Sequence, residues 1–337
     1  MEYSYGQQGR IIRVVGGLYT VALDGGVEGS PLSGQTVECR ARGNFRHEGM
    51  TPLVGDLVTV SYDGGSFDVG EDGVPTPRAD AAGLMLAGIE PRTNALIRPP
   101  LANVDMMLVV LASAAPAPDT ATIDKLLCIL EYNRIEPVLV IGKSELDPHR
   151  ADELRALYEG VGYRVFTLSC HTGEGIEAFS RFAHTETAGR ITAVAGASGV
   201  GKSTLLTTVF KGLGGRDGKA PASGDISRKI ARGKNTTRHT ELFRIPDSTG
   251  YIADTAGFSL LDFQRFDFFR LDDLAETFRE FEPYLGGCRY TDCTHLCEEG
   301  CAVVDAVKAK KIAPSRHAIY RELYAVLKEK PSWEKKN

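Results

Sequence analysis

The chain has 337 residues, of which 42% are hydrophobic and 25% are charged. This composition is that of an ordinary globular protein and excludes a disordered or collagen-like chain, and the length favours two or three domains. No run of about 18 apolar residues is present, and the N-terminus lacks the basic-then-apolar pattern of a signal peptide, so the sequence predicts a cytoplasmic protein.

The formal net charge of −5 argues against a general nucleic-acid coat, but the charge is unevenly distributed. Residues 1–92 carry 7 Lys and Arg against 12 Asp and Glu. Residues 211–240 carry eight basic and two acidic residues, and residues 308–337 carry nine and three. The last two segments are therefore candidate electrostatic contacts with nucleic acid.

The first ninety residues consist of short strand-like runs separated by glycine turns. These runs cover residues 11–15, 18–23, 36–41, 56–62 and 84–89. Five short strands in this length predict an OB-type β-barrel over residues 1–91. Arg40, Arg42 and Arg46 make the barrel a candidate RNA-contacting surface, although a solvated strand face explains Arg40 and Arg42 equally well.

From residue 92 onwards, strand and helix patterns alternate, which is typical of a parallel sheet covered by helices on both faces. Predicted strands lie at 104–111, 137–141, 164–168, 191–195 and 250–253, and predicted helices lie at 122–133, 151–160 and 202–210. We therefore predict a multidomain α/β protein with a nucleotide-binding domain over residues 92–262. A mainly helical domain follows over residues 263–337, around a cluster of cysteines.

A complete G-x-x-x-x-G-K-S phosphate-binding loop lies between a predicted strand and a predicted helix. Backbone N–H groups of such a loop surround the phosphates, Lys202 reaches the β and γ oxygens, and the Ser203 hydroxyl ligates Mg²⁺. The predicted nucleotide contacts are Gly196, Ala197, Ser198, Gly199, Val200, Gly201, Lys202, Ser203 and Thr204. A chance glycine turn is improbable, because both required neighbours of the loop are present.

The segment Asp254-Thr255-Ala256-Gly257 has the D-x-x-G form of a GTPase switch. Asp254 is predicted to hold the Mg²⁺ shell, and the Gly257 N–H to meet a γ-phosphate. The motif is weak alone, but after a phosphate loop it favours a GTPase over a P-loop ATPase. Upstream, Thr237 is preferred narrowly over Thr236 as a further Mg²⁺ ligand, although a merely flexible basic loop is also compatible with this segment.

Two candidate base-reading elements precede the phosphate loop. Ser169 and Cys170 begin a segment that resembles the S-A-x element contacting guanine, and Gly142-Lys143-Ser144-Glu145-Leu146 occupies the place of N-K-x-D-L. Gly142 replaces Asn and Glu145 replaces Asp in that motif. The Lys143 stem can still cover the base, and Glu145 can accept from the two guanine N–H donors if its longer side chain bends back. We expect guanine to be preferred over adenine, but less strongly than with the full motif.

The order of the motifs is base-reading elements, phosphate loop, then switches. Loops at the carboxyl edge of one parallel sheet meet whatever the chain order, so the sequence predicts a circularly permuted GTPase. The Asp254 switch then leads directly into the C-terminal domain.

Three thiols and an imidazole lie within fourteen residues of the C-terminal domain: Cys288, Cys293, His295 and Cys301. This set suits a closed, structural, tetrahedral Zn²⁺ site. Cys297 is a fifth possible ligand, which we rank last. We expect chelation to unfold this region and impair docking while nucleotide binding stays largely intact.

The permuted motifs and the Cys/His spacing together resemble the RsgA family of small ribosomal subunit biogenesis GTPases. The similarity spans nearly the whole chain and includes Gly55-Asp56, Pro91-Arg92, Leu101–Asp105, Arg232–His239 and Arg316-His317…Tyr320. It implies a Mg²⁺-dependent GTPase that binds the 30S subunit and its 16S rRNA late in assembly, with the barrel near the decoding region. It also implies slow hydrolysis of GTP to GDP that the subunit stimulates, release of the factor afterwards, and a monomer.

The water-positioning residue departs from the family pattern. Asn235 stands where the family usually has His, and Phe258 stands where Ras-like GTPases have the water-orienting Gln. His239 is a candidate substitute, and ribosomal RNA is another. The alternative functions are a GTP-gated RNA-binding factor with little hydrolysis and a P-loop ATPase.

Overall fold

The computed structural model describes residues 4–25, 32–41, 45, 50–63, 67–69, 75–77, 84–97, 100–210, 240–245, 248–254 and 270–329. The strands are β1 (Ser4–Val15), β2 (Leu18–Leu23), β3 (Thr36–Ala41), β4 (Leu57–Asp63), β5 (Phe67–Val69), β6 (Pro75–Pro77), β7 (Met85–Ile89), β8 (Ala95–Ile97), β9 (Pro100–Ala102), β10 (Met106–Ala112), β11 (Glu136–Gly142), β12 (Arg164–Thr167), β13 (Ile191–Ala195), β14 (Glu241–Arg244) and β15 (Tyr251–Asp254). The helices are α1 (Thr120–Tyr132), α2 (Pro148–Val161), α3 (Ile176–Glu186), α4 (Lys202–Val209), α5 (Ala302–Lys308) and α6 (Pro314–Lys328).

The N-terminal strands form a five-stranded barrel in the order β1-β2-β3-β7-β4, which closes because β1 also pairs with β4. β1 is longer than the sequence suggested, since it pairs with β4 through residues 4–10 and with β2 through residues 9–15. Gly9 lies where both pairings overlap, and a Cβ there would lie 2.6 Å from the Ala22 carbonyl oxygen. Ile11, Val21 and Leu86 are among the side chains that fill the interior. The predicted barrel is confirmed.

The central sheet has the strand order β12-β11-β10-β13-β15-β14. All neighbours are parallel except β14, which runs antiparallel to β15. The predicted parallel sheet of a circularly permuted GTPase domain is thereby confirmed. β14 was not predicted, because it is only four residues long and follows directly on the basic segment. It pairs with β1 at Arg13 and Glu241, which joins barrel and central sheet into one 11-stranded sheet.

β10 is buried along its whole length and divides two hydrophobic clusters. Met107, Val109 and Leu111 face the cluster formed with α1 and α2, whereas Met106 and Leu108 face the cluster formed with α3 and α4. Burial on both faces explains why the sequence shows an uninterrupted apolar run at this strand rather than an alternating one.

Capping residues explain where the helices begin. The Asp119 side chain accepts from the Thr122 N–H at the start of α1, and the Asp147 side chain accepts from the Arg150 N–H at the start of α2. Pro148 occupies the first turn of α2, so this helix starts three residues before the predicted position. α3 was not predicted, although Ile176, Phe179 and Ala183 recur at helical spacing directly after a candidate base-reading loop.

The C-terminal segment is mainly helical, as predicted. Three short 3-10 turns, Leu271–Asp273, Ala275–Thr277 and Arg279–Tyr284, precede the cysteine loop and helices α5 and α6. α6 packs against α1 of the central domain. Across the described part of the chain, every helix is too short or too polar to cross a bilayer.

Candidate nucleotide site and metal centre

The loops that carry the nucleotide motifs leave the same edge of the central sheet. Ala112 pairs with Gly142 in the register of β10 and β11, and Ala193 pairs with Ala253 in that of β13 and β15. Because parallel strands end at a common edge, the base-reading loops, the phosphate loop and Asp254 follow these strands on one side of the sheet. The motifs therefore come together at this edge even though their order along the chain is permuted.

The phosphate loop is a tight turn from β13 into α4. Gly196 has φ +151°, and a Cβ there would lie 2.3 Å from the Val110 carbonyl oxygen, so only glycine fits. Gly201 has φ +105° and precedes the first residue of α4. The side chain of Val200 is buried between these glycines and anchors the loop to the sheet.

The Lys202 side chain folds back into the phosphate loop. Its Nζ donates to the carbonyl oxygens of Gly196 and Ala197, at 2.8 Å each. Burial lowers the pKa of this ammonium group. The positive charge therefore lies inside the curve of the loop, where the predicted phosphates would bind.

A pocket of about 290 Å³ opens beside the phosphate loop. Its polar lining comes from Lys143 and Glu145 after β11, Cys170 and His171 after β12, and Thr204 on α4. The structure thus brings both predicted base-reading elements together with the phosphate loop. Gly142 also lines this pocket, whereas Ser144 and Ser169 are buried and do not line it.

Lys143 connects three loops. Its backbone is left-handed, with φ +58°, and its Nζ donates to the carbonyl oxygens of Ala115 at 2.7 Å and Gly199 at 2.8 Å. The Ser113 hydroxyl donates to the Lys143 carbonyl oxygen at 2.7 Å. Ser113 was missed in the sequence, although a lone serine directly after the apolar run of β10 was an available signal.

Ser169 is buried in its own loop and influences the ionisation of Glu145. The fully buried Ser169 oxygen accepts from the backbone N–H groups of His171 at 3.2 Å and Thr172 at 3.0 Å. A hydrogen bond from the Ser169 hydroxyl lowers the pKa of Glu145. Glu145 therefore presents an ionised, acceptor-only carboxylate at the pocket. Burial raises the pKa of the neighbouring Cys170 thiol, which stays neutral.

Several predicted residues lie outside the described part of the chain. These are Thr236, Thr237, Asn235, His239, Gly257 and Phe258 of the switch segments, and Arg42 and Arg46 of the barrel. Asp254 is the last residue of β15, beside β13. Arg40 is exposed on β3.

The Cys/His cluster has the dimensions of a tetrahedral metal site. The ligand atoms of Cys288, Cys293, His295 and Cys301 all lie within 4.8 Å of one another. Cys288 Sγ lies 3.8 Å from Cys301 Sγ, and both lie 3.5 Å from His295 Nδ1. Ligands at zinc distances on a tetrahedron have separations of about 3.8 Å for two sulfurs and about 3.5 Å for sulfur and nitrogen. Cys297 is exposed and lies outside this cluster.

The cluster is held by a hydrogen-bonded loop. The Glu298 carboxylate accepts from the backbone N–H groups of Thr294 at 2.8 Å and Leu296 at 2.9 Å, and from the Thr294 hydroxyl. Burial lowers the pKa of His295, which favours the neutral imidazole that ligates metals. Cys301 caps α5, since its sulfur accepts from the Val304 N–H.

A phosphate loop and a base pocket assembled from permuted loops on one sheet define a circularly permuted GTPase, here beside a barrel and a Cys₃His cluster. Residues 89–264 match the RsgA GTPase family, and residues 8–66 match the RsgA N-terminal domain. The chain belongs to the RsgA family and is a GTP hydrolase, as the sequence predicted. Membership implies GTP and GDP as substrate and product and Mg²⁺ as cofactor.

The similarity of this chain to relatives and to solved structures extends over almost its whole length. Proteins named small ribosomal subunit biogenesis GTPase RsgA from Agathobacter rectalis and Bacillus pumilus are each 37% identical, over 96% of this chain and 99% and 98% of their own lengths. The crystal structure of YjeQ from Thermotoga maritima has a TM-score of 0.71 at 28% identity, covering 97% of this chain and all of that one. YloQ, a circularly permuted GTPase, has a TM-score of 0.69 at 29% identity, covering 97% of both chains.

Proposed function

We propose that this protein acts in small ribosomal subunit biogenesis as a Mg²⁺-dependent GTPase. It binds the 30S subunit late in assembly, hydrolyses GTP under stimulation by the subunit, and then leaves. The observation that carries this proposal is the end-to-end relationship with RsgA proteins, combined with a base pocket and phosphate loop that meet at one sheet edge.

Guanine recognition is assigned to the pocket that Lys143 and Glu145 line. An ionised carboxylate accepts hydrogen bonds but donates none, so Glu145 suits the two adjacent N–H donors of guanine and not the acceptor edge of adenine. The Lys143 stem covers one side of the pocket while its ammonium is fixed to Gly199. Ser144, Ser169 and Cys170 complete the base-reading set.

Phosphate and Mg²⁺ binding are assigned to the sheet edge next to this pocket. Lys202 would exchange its carbonyl acceptors for phosphate oxygens, and Ser203, Thr237 and Asp254 would hold Mg²⁺. Gly257 and His239 complete the proposed catalytic set, His239 in the role of positioning water. Bound Mg²⁺ supplies neutralisation of the charge that develops on the phosphoryl oxygens.

A structural Zn²⁺ is assigned to Cys288, Cys293, His295 and Cys301. The sulfur–sulfur and sulfur–nitrogen separations match a zinc tetrahedron, and four protein ligands leave no open position for catalysis. Zinc would then fix the loop between the 3-10 turns and α5.

The partner surface is assigned to basic residues. Arg40, Arg42 and Arg46 of the barrel, with the segments 211–240 and 308–337, are proposed to contact 16S rRNA. We further propose a cytoplasmic monomer with domains over residues 1–91, 92–262 and 263–337. Phosphate contacts release counterions, so binding to the 30S subunit should weaken steeply as salt rises.

Phosphate release tests the function directly. The purified chain is incubated with Mg²⁺ and GTP or ATP, with and without 30S subunits, beside a Lys202→Ala variant. We expect the subunit to stimulate phosphate release strongly from GTP but not from ATP. In the Lys202→Ala variant we expect no stimulated release. Normal GTP binding without any stimulation would refute the proposal, and a preference for ATP would remove the guanine assignment.

A GTP-gated binding factor with little hydrolysis is the second candidate. Asn235 and Phe258 favour it, because Phe cannot orient water by hydrogen bonding and Asn replaces the usual family His. It predicts GTP-dependent docking on 30S subunits with almost no turnover, and a faster rate in Asn235→His. An unchanged rate in that variant would count against Asn235 as the cause of slow hydrolysis.

A further inference from the structure

The C-terminal segment and the GTPase domain share one hydrophobic core. The same cluster of buried side chains contains Leu126 and Ile129 of α1, Phe281 of the third 3-10 turn with Phe278 directly before that turn, and Leu323 of α6. Cys288 and Cys293 pack against this cluster, and the buried ligand Cys301 is part of it. The metal loop, residues 288–301, which carries the four candidate metal ligands, therefore packs against the same hydrophobic cluster as β10 and α1.

Arg316 on α6 bridges the two parts of this core with a buried charge. Its side chain is fully buried, its Nη1 lies 3.0 Å from Asp124 Oδ1 on α1, and its Nε lies 2.6 Å from Glu280 Oε1. The guanidinium also lies over the Phe278 ring, 5.0 Å from its centroid. Removing one partner of such a group leaves an uncompensated buried charge, so α1 and α6 are held in one arrangement.

The same turn of α6 holds the metal loop. His317 Nε2 lies 2.8 Å from the His295 carbonyl oxygen, and the Tyr320 hydroxyl donates to the Thr294 carbonyl oxygen at 2.8 Å. The Phe281 ring lies edge-on to both the His295 and Tyr320 rings. One helical turn thus contacts α1 through Arg316 and the metal loop through His317 and Tyr320.

The N-terminal end of α1, which carries Asp124, is also connected to the pocket beside the phosphate loop. The loop that leads from β10 into α1 contains Ala115, whose carbonyl oxygen accepts from Lys143 Nζ. Lys143 lines the pocket. The connection therefore runs from the metal loop through α6 to Asp124, along the backbone from α1 back to Ala115, and from there to Lys143.

We propose that Zn²⁺ and guanine nucleotide bind this chain with positive thermodynamic linkage, with Arg316 as the positioning residue between the two sites. The inference rests on the zinc and nucleotide sites proposed above. Each ligand binds the packed arrangement of this shared unit better than a loosened one, so the first ligand removes the ordering cost that the second would otherwise pay, and each raises the affinity of the other by the same factor. This is opposite to the expectation, from the spacing alone, that nucleotide binding is largely independent of the metal.

Equilibrium titrations of the full-length chain test the linkage. Zinc affinity is measured in competition with a chromophoric zinc chelator in excess Mg²⁺, with and without saturating GDP, and GDP affinity is measured on the zinc-loaded and zinc-stripped chain. We expect GDP to raise zinc affinity at least about fivefold, and zinc to raise GDP affinity by the same factor. The linkage would be overturned if GDP changed the zinc affinity by less than about twofold and zinc changed the GDP affinity by less than about twofold.

Two variants at the same helix interface separate Arg316 from a general surface effect. Arg316→Lys keeps the charge but cannot bridge both carboxylates, and we expect its linkage factor to fall below about twofold. Lys125→Ala removes the exposed ion pair with Glu322, which also joins α1 to α6, and we expect the full factor. If Arg316→Lys does not fold, Asp124→Asn takes its place, since it removes the negative charge from α1 without changing the side-chain shape.

The outcomes distinguish the linkage from the proposed sites. A purified chain that binds no zinc refutes the metal site, and a chain that binds zinc but no GDP refutes the nucleotide site. If the chain bound both ligands but neither changed the affinity of the other, the linkage would be refuted and the two proposed sites would stand. An unchanged factor in the folded Arg316→Lys variant would refute the role of Arg316.

Discussion

Arg92 and Asp56 form a two-point ion pair across the junction between the barrel and the GTPase domain. Arg92 Nε lies 2.7 Å from Asp56 Oδ1, and Nη2 lies 2.8 Å from Oδ2. Asp56 is fully buried and also accepts from the Leu53 N–H, while Arg92 Nη2 donates to the Thr51 carbonyl oxygen. The bidentate geometry holds Arg92, at the start of the GTPase domain, against the barrel.

Arg92→Ala should destabilise the protein by about 3 kcal/mol, because it leaves the Asp56 carboxylate buried without its counter-charge. Thermal or denaturant unfolding measures this loss. Arg181→Ala is the matched control, since its ion pair with Glu177 on α3 is almost fully exposed, and the expected change is below about 0.5 kcal/mol. Equal effects of the two substitutions would contradict a structural role for the Arg92 pair.

Glu145→Gln should weaken GTP binding about 10- to 100-fold, because a charged acceptor in the base pocket is replaced by a neutral amide. Calorimetric titration with GDP and GTP measures the change. Glu153→Gln on the exposed face of α2 is the control and should leave both affinities unaltered. Unchanged GTP affinity in Glu145→Gln would move guanine recognition to other residues.

The Ser169 hydrogen bond should set the acid limit of GTP binding. Ser169 lowers the pKa of Glu145, so the carboxylate contribution is complete at neutral pH and is lost only as pH falls through a value below the ordinary 4.5. In Ser169→Ala that pKa rises, and the loss of affinity should begin at higher pH. Parallel pH profiles for the two proteins would show that Ser169 does not control Glu145.

Gly142→Asn should strengthen the preference for GTP over ATP, since it restores the usual base-reading amide. A Cβ at Gly142 would lie 3.7 Å from the carbonyl oxygens of Leu111 and Val200, which is ordinary contact. Gly196→Ala is the opposite case, because its Cβ would lie 2.3 Å from the Val110 carbonyl oxygen, and nucleotide binding should fall about 100-fold or more. Competition binding of GTP and ATP measures both variants.

Cys293→Ser should abolish stoichiometric zinc binding, whereas Cys297→Ser should retain it. Cys293 belongs to the four-ligand cluster, and Cys297 is exposed outside it. Zinc content after gel filtration, with thiol titration of the same samples, measures the difference. Loss of zinc in Cys297→Ser would place this thiol in the metal site.

The order of the motifs and the chemistry of their side chains can be read directly from the amino-acid sequence. The phosphate loop at Gly196–Ser203, the barrel strands and the Cys/His set are local patterns, and each was readable because its spacing has a direct chemical meaning. The strand Ile191–Ala195 was predicted to the residue, since it runs straight into the glycine loop. β14 was missed because a four-residue strand has no independent local signal, whereas α3 was missed although Ile176, Phe179 and Ala183 recur at helical spacing.

The contacts that join these parts depend on tertiary packing and could not be predicted from local patterns. Gly55 is required because the Ala102 carbonyl oxygen would lie 2.1 Å from its Cβ, and that contact exists only when barrel and GTPase domain are folded together. Asp124 and Arg316 are 192 positions apart, and neither residue type in its local pattern indicates a buried pair. Lys143 was expected to cover the base, but its bond to Gly199 depends on two loops meeting at one sheet edge. Pairings over such distances depend on the packing of the whole chain, which local spacing does not encode.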